Sequence, residues 1–138
     1  MKKILFITGT RADYGKLKPL IREVERAGEF EAYIYVSGMH LMEVFGCTYR
    51  ENIKDGYRNV YTEFAQIHTD SMSYNLGDVI CHLTGFAGRI RPDLMVVHGD
   101  RIDALAGAVV GALNIIRVAH IEGGEVSGTI DESIRHAI

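Results

Sequence analysis

The segment from His120 to His136 holds two histidines, four carboxylates, an arginine and three glycines, and it follows an apolar run. Carboxylates and imidazoles are the side chains that move protons at ordinary pH. Glycines let a backbone turn tightly and come close to a ligand. Two further clusters have the same character. Gly9-Thr-Arg-Ala-Asp-Tyr-Gly15 follows the first apolar run, and His98-Gly-Asp-Arg101 follows a continuous one. Arg11 offers a guanidinium fork suited to phosphate, beside a predicted helix N-terminus that itself attracts anions. The spacing there is neither Gly-x-Gly-x-x-Gly nor a P-loop.

Each cluster also has a plain structural explanation. Thr10 at an N-cap with Asp13 three residues on makes a capping box, which accounts for Asp13. A turn has no need of an arginine, so Arg11 is read as the anion contact. On spacing alone Asp100 serves equally as a helix cap or a catalytic acid, with Asp103 a competing cap or a first-turn acid. His98 fits a satisfied buried histidine, and Arg101 fits a surface charge. Thr129-x-x-Glu132 is a second capping box, so the catalytic expectation moves to Asp131 and Glu122. No cap explains Glu122, which stands between a predicted strand and two glycines. Glu125 reads as solvated. His98, His120 and His136 show no zinc-ligand spacing, so no metal is expected and a hydrogen-bonding role is. His40, His68 and His82 read as ordinary polar residues, with some allowance for His40 at its strand end.

The elements that must hold these groups are short apolar runs alternating with amphipathic ones. Strands are predicted over 3–8, 31–37, 59–64, 94–97 and 114–119, and helices over 14–27, 41–45, 71–90, 100–113 and from 129 onward. Pro19 falls in the first turn of the first helix, where it is tolerated, and Gly28 is its stop. Apolar strands alternating with helices mean an open, doubly wound parallel α/β sheet. Ligands of such sheets bind outside the carboxyl ends of the strands. All three clusters fall at those ends. The last helix has Ile130, Ile134 and Ile138 on one face and no stop signal, so the chain is expected to be a fragment of a longer protein.

Bulk properties narrow the function. The chain has 138 residues, enough for one domain with a real core. A net charge of −3 argues against binding nucleic acid through phosphates. Cys47 and Cys81 make neither a metal motif nor a disulfide framework, which fits a reducing compartment. The apolar run at 4–7 is too short for a signal peptide, and no stretch is long enough to span a membrane. A cytoplasmic protein is expected.

Taken together, Gly9-Thr-Arg-Ala-Asp-Tyr-Gly-Lys-Leu, His98-Gly-Asp-Arg-Ile-Asp-Ala-Leu-Ala and the segment from His120 to Ile138 resemble the UDP-N-acetylglucosamine 2-epimerases. The similarity is greatest to the hydrolysing branch, which makes N-acetylmannosamine for sialic-acid-type sugars. It runs over essentially the whole chain. It implies a Rossmann-like domain over 1–138, the first half of a GT-B-type pair, with the UDP-binding second domain outside this sequence and the isolated chain inactive. It implies elimination of UDP with loss of the C2 proton, then addition of water to a glucal intermediate. The carboxylates it marks are Asp100, Glu122 and Asp131. Arg11, Arg101, His98, His120 and His136 are implied as substrate contacts, and Gly123 and Gly124 as room for the sugar. The resemblance implies an Ala-Gly in the non-hydrolysing members where this chain has Gly123-Gly124, and an acidic pair where it has Asp131-Glu132, a comparison read as favouring hydrolysis. The expected partner is UDP-N-acetylglucosamine or a related UDP-sugar, with no cofactor and with a homo-oligomeric full-length protein. Two other classes stand beside this reading: a GT-B glycosyltransferase half-domain, and a non-catalytic nucleotide-sugar binding module.

Overall fold

The computed structural model describes residues 1–38, 49–64 and 67–138. Five strands form one parallel sheet: β1 (Lys2–Thr8), β2 (Phe30–Val36), β3 (Val60–Thr62), β4 (Leu94–His98) and β5 (Arg117–Ile121), in the order β3-β2-β1-β4-β5. The helices are α1 (Arg11–Ala27), α2 (Tyr49–Lys54), α3 (Met72–Ile90), α4 (Ile102–Leu113) and α5 (Ile130–Ala137). Both faces of the sheet are covered, as a Rossmann-like arrangement requires. Alternate residues of β1 point opposite ways, so Ile4 and Phe6 pack with Leu17 and Ile21 of α1, while Leu5 and Ile7 pack with Leu83 of α3 and Ala104 of α4.

The Ala-rich helix α4 lies unusually close to the sheet. A Cβ at Gly107 would stand 2.6 Å from Val97 Cγ1 and 2.7 Å from Ile7 Cδ1, so only glycine permits the approach. That depth sets where the N-terminus of α4 emerges beside β1 and β2.

Several boundaries differ from the sequence-based expectation. The helix α1 begins at Arg11 because Thr10 and Asp13 form a full capping box, three residues before the apolar face begins. Pro19 therefore lies mid-helix rather than in the first turn. It and Gly15, whose carbonyl it leaves unbonded, are both exposed, so water can take that carbonyl. Gly28 stops the helix at φ 69° as expected. β5 starts at Arg117 instead of 114, since Asn114 and Ile115 still bond back into α4. The helix α2 was not foreseen, and the predicted helix over 41–45 and His40 lie outside the described residues. Thr129 caps α5 without a side-chain bond, and the Glu132 carboxylate accepts from the Gly128 N–H, so the expected capping box is absent. The inward face of α5 is met only in part: Ile134 is half-buried and Ile138 packs against the core. Ile130 is 71% exposed, and the buried residue is Arg135.

Candidate active site

The carboxyl ends of β1, β4 and β5 open onto a cavity of about 490 Å³ lined by residues that include Arg11, Asp13, His98, Asp100, Arg101, Glu122 and Arg135. Its size suits a small organic ligand. Gly99 turns the chain out of β4 at φ 76°, and its N–H bonds Ile121 O at 2.9 Å, which holds the β4 and β5 ends side by side. Glu122 then leaves β5 at φ 59°. Left-handed backbone is uncommon for a glutamate, and such strain persists where the surroundings hold it.

The Glu122 side chain is fixed from two sides. Lys16 Nζ lies 3.3 Å from its Oε1, and His98 Nε2 lies 3.0 Å from its Oε2. The Lys16 bond first, and the His98 bond next, hold its carboxyl below the ordinary carboxylate range. His98 is only 9% exposed at its side chain, and its Nδ1 lies 2.9 Å from Asp13 Oδ1. The other oxygen of Asp13 accepts from the Gly9 and Thr10 N–H groups. One carboxylate thus caps α1 and grips the histidine.

Asp100 is not the cap of α4, and its side chain is half-buried. The residue at the N-cap of α4 is Arg101, without a side-chain cap bond. The Asp100 carboxylate pairs with the Arg135 guanidinium, whose other nitrogen donates to Glu125 O at 2.9 Å. Arg135 is 6% exposed and fastens the 122–128 loop to the β4 end.

The structure brings Arg11, His98, Asp100, Arg101 and Glu122 to one cavity. It leaves five other residues of the sequence reading outside the lining: His120, Asp131, His136, Gly123 and Gly124. His120 donates from Nε2 to Gly99 O at 2.6 Å, bracing the β4 turn. Asp131 stands exposed in the first turn of α5. His136 is exposed, 3.8 Å from Glu132. Gly123 has a local use: a Cβ there would stand 2.8 Å from the His120 Cγ, so the ring takes the space a side chain would need. Gly124 faces open space.

Three participants escaped the sequence reading. Asp13 was explained by its cap alone, and Lys16 and Arg135 carry no local signal. Asp103 turns out to be buried between two glycines. It is 5% exposed, its Oδ1 accepts from Ser37 Oγ at 2.7 Å, and Cβ atoms at Gly9 or Gly38 would collide with it. Burial pushes its carboxyl above the ordinary range, and the Asp13 charge adds to this. Among the described residues no group of histidines, cysteines and carboxylates is arranged to hold a metal, and no helix is long and apolar enough to cross a membrane.

Comparison with known proteins bears on this geometry. The chain is 49% identical over its whole length to a UDP-N-acetylglucosamine 2-epimerase of Neisseria meningitidis serogroup B, and spans 37% of that protein. It is 34% identical, over the same share, to a UDP-N,N'-diacetylbacillosamine 2-epimerase (hydrolyzing) of Legionella pneumophila. Among solved structures, the Methanocaldococcus jannaschii UDP-GlcNAc 2-epimerase in complex with UDP-GlcNAc and UDP superposes on 98% of this chain with a TM-score of 0.80, at 27% identity. The chain covers 38% of that structure. Residues 22–138 match the sequence profile described as UDP-N-acetylglucosamine 2-epimerase, and the chain belongs to that family.

Proposed function

We propose that this chain is the acid-bearing N-terminal half of a hydrolysing UDP-N-acetylglucosamine 2-epimerase. The observation that carries the reading is the convergence of Asp100 and Glu122 on one cavity that Arg11 and Arg101 also line. Loss of UDP from C1 with loss of the C2 proton needs a base for a weakly acidic C–H and a cationic setting for the leaving diphosphate. The two carboxylates supply the first. Arg11, Arg101 and the N-terminus of α1 supply the second from this side of the cleft. Asp131 is the third acid of the proposal, reaching substrate when the second Rossmann-like domain of the GT-B pair closes the cleft. The hydrolyzing diacetylbacillosamine 2-epimerase of Legionella pneumophila supports hydrolysis, and it widens the substrate class to UDP-linked acetamido sugars. We place the protein in the cytoplasm, where nucleotide sugars are made and where free cysteines such as Cys81 persist.

In this reading elimination gives an enol-ether sugar and UDP, and water then adds at C1 while C2 is reprotonated from the opposite face. Arg135 and Lys16 aim the two carboxylates and leave the chemistry to them. The test is product analysis of the full-length enzyme and of its Asp100→Asn, Glu122→Gln and Asp131→Asn variants. Free N-acetylmannosamine plus UDP is expected from the parent, with losses of roughly 100-fold or more in each variant. An epimerised sugar still attached to UDP would overturn hydrolysis. A variant with near-parental turnover would remove that acid from the mechanism.

A further inference from the structure

Asp13, His98, Glu122 and Lys16 form an unbroken chain of contacts from the buried start of α1 to the open cavity. A capping box explains only one oxygen of Asp13. Its Oδ2 accepts from two backbone N–H groups, which leaves Oδ1 for His98 Nδ1 at 2.9 Å. The Asp13 and His98 side chains are each 9% exposed, so water does not compete well for this bond. We propose that Asp13 is a positioning residue that acts through His98 on Glu122, deepening the epimerase reading on which it rests.

An ionised Asp13 can only accept, so His98 must carry a proton on Nδ1. Its Nε2 then faces Glu122 Oε2 at 3.0 Å with one proton between them. Either the imidazolium donates to a carboxylate, or a carboxylic acid donates to neutral Nε2. The two forms have the same composition and differ by one proton moved from Nε2 to Oε2. In the first form His98 holds Glu122 as a carboxylate base. A proton taken from substrate makes Glu122 a carboxylic acid beside the imidazolium, and it leaves to water as the pair returns to its one-proton form. Lys16 on Oε1 keeps the second oxygen from turning away. The other charged groups lining this cavity are Arg11, Asp100, Arg101, Glu125 and Arg135, and they face the pair from α1, the β4 turn, the 122–128 loop and α5.

Asp13→Asn separates the two duties of the residue. The amide oxygen can still accept from Gly9 and Thr10, so the cap survives. The amide NH2 then meets Nδ1 and forces the proton to Nε2, the wrong tautomer for this relay. In the full-length enzyme labelled with 15N-histidine, the parent His98 should carry its proton on Nδ1 whenever neutral, and the variant on Nε2. The variant's kcat should fall roughly 100-fold or more with KM within about threefold, and the basic limb of its pH profile should move. A parental kcat and pH profile in a folded Asp13→Asn enzyme would overturn the proposal. If that variant does not fold, the parent spectrum decides: a neutral His98 with bare Nδ1 overturns it, and a protonated Nδ1 supports it. Should the parent release no UDP from any UDP-acetamido sugar, the reading of the reaction fails, whereas the tautomer assignment is judged separately by the spectrum.

Discussion

Replacing Gly9 by alanine drives a methyl group into the space held by Asp103. The new Cβ would stand 3.0 Å from Asp103 Cβ and closer still to its carboxylate. The carboxylate cannot retreat, because the backbone at Gly38 closes the other side and Ser37 Oγ holds Oδ1 at 2.7 Å. Gly9 itself needs no special backbone angle, so space alone decides the cost. Overpacking a tight site costs about 2 kcal/mol, and displacing Asp103 from the fully buried Ser37 hydroxyl adds about 1 kcal/mol. Gly9→Ala should therefore destabilise by about 3 kcal/mol in urea unfolding monitored by circular dichroism. Asp103→Ala should cost about 2 kcal/mol, since it removes the Ser37 partner but makes no clash. The double variant has neither carboxylate nor clash, so it should unfold close to Asp103→Ala alone. That is a coupling of about −3 kcal/mol in the double-mutant cycle. Additive losses, with the double variant about 5 kcal/mol below the parent, would refute the claim that Gly9 exists to seat Asp103.

Two further outcomes follow from the same geometry. Asp103 holds its proton more tightly folded than unfolded, so its stability contribution is fully present below the ordinary value near 3.8 and is lost as pH rises through the raised folded value. Asp103→Asn keeps the Ser37 bond and cannot ionise. Its thermal midpoint relative to the parent should therefore climb from pH 3 toward pH 7, and a pH-independent difference would count against a buried, neutralised carboxyl. Ile115 is 95% exposed at φ 58°, so its side chain buries nothing while its branched Cβ strains the backbone. Ile115→Gly should raise stability by about 1 kcal/mol, measured as a shift in urea midpoint at unchanged slope.

Much of the fold was legible because it rests on local chemistry. The Thr10/Asp13 cap, the Gly28 stop, Ser71 at the start of α3 and the apolar strands all announce themselves within a few residues. The doubly wound class follows from their alternation. Expectations failed where a local pattern met a tertiary competitor. Thr129 and Glu132 have the spacing of a capping box, yet Gly128 offers its N–H to Glu132 in place of Thr129. Ile130 and Ile134 have the spacing of an inward face, yet the buried position went to Arg135, whose guanidinium finds Asp100 and Glu125 O there. Arg135 is held there by Asp100 and by Glu125 O, partners that an isoleucine cannot engage.

The division is sharpest at the site. Residue types and strand-end placement were enough to nominate Arg11, His98, Asp100, Arg101 and Glu122, because parallel strands carry their carboxyl ends to one edge whatever the details. The sequence also determined that glycine stands at 9, 38, 107 and 123. Only the tertiary structure decided what those glycines admit: the Asp103 carboxylate at the first two, the β1 and β4 side chains at the third, the His120 ring at the last. It alone decided that Asp13 reaches His98 across 85 residues of chain and that His98 reaches Glu122 across 24. The physical reason is range. Caps and periodicity are set by neighbours along the chain, whereas a hydrogen bond between buried side chains depends on how closely two strands and a helix N-terminus are packed together.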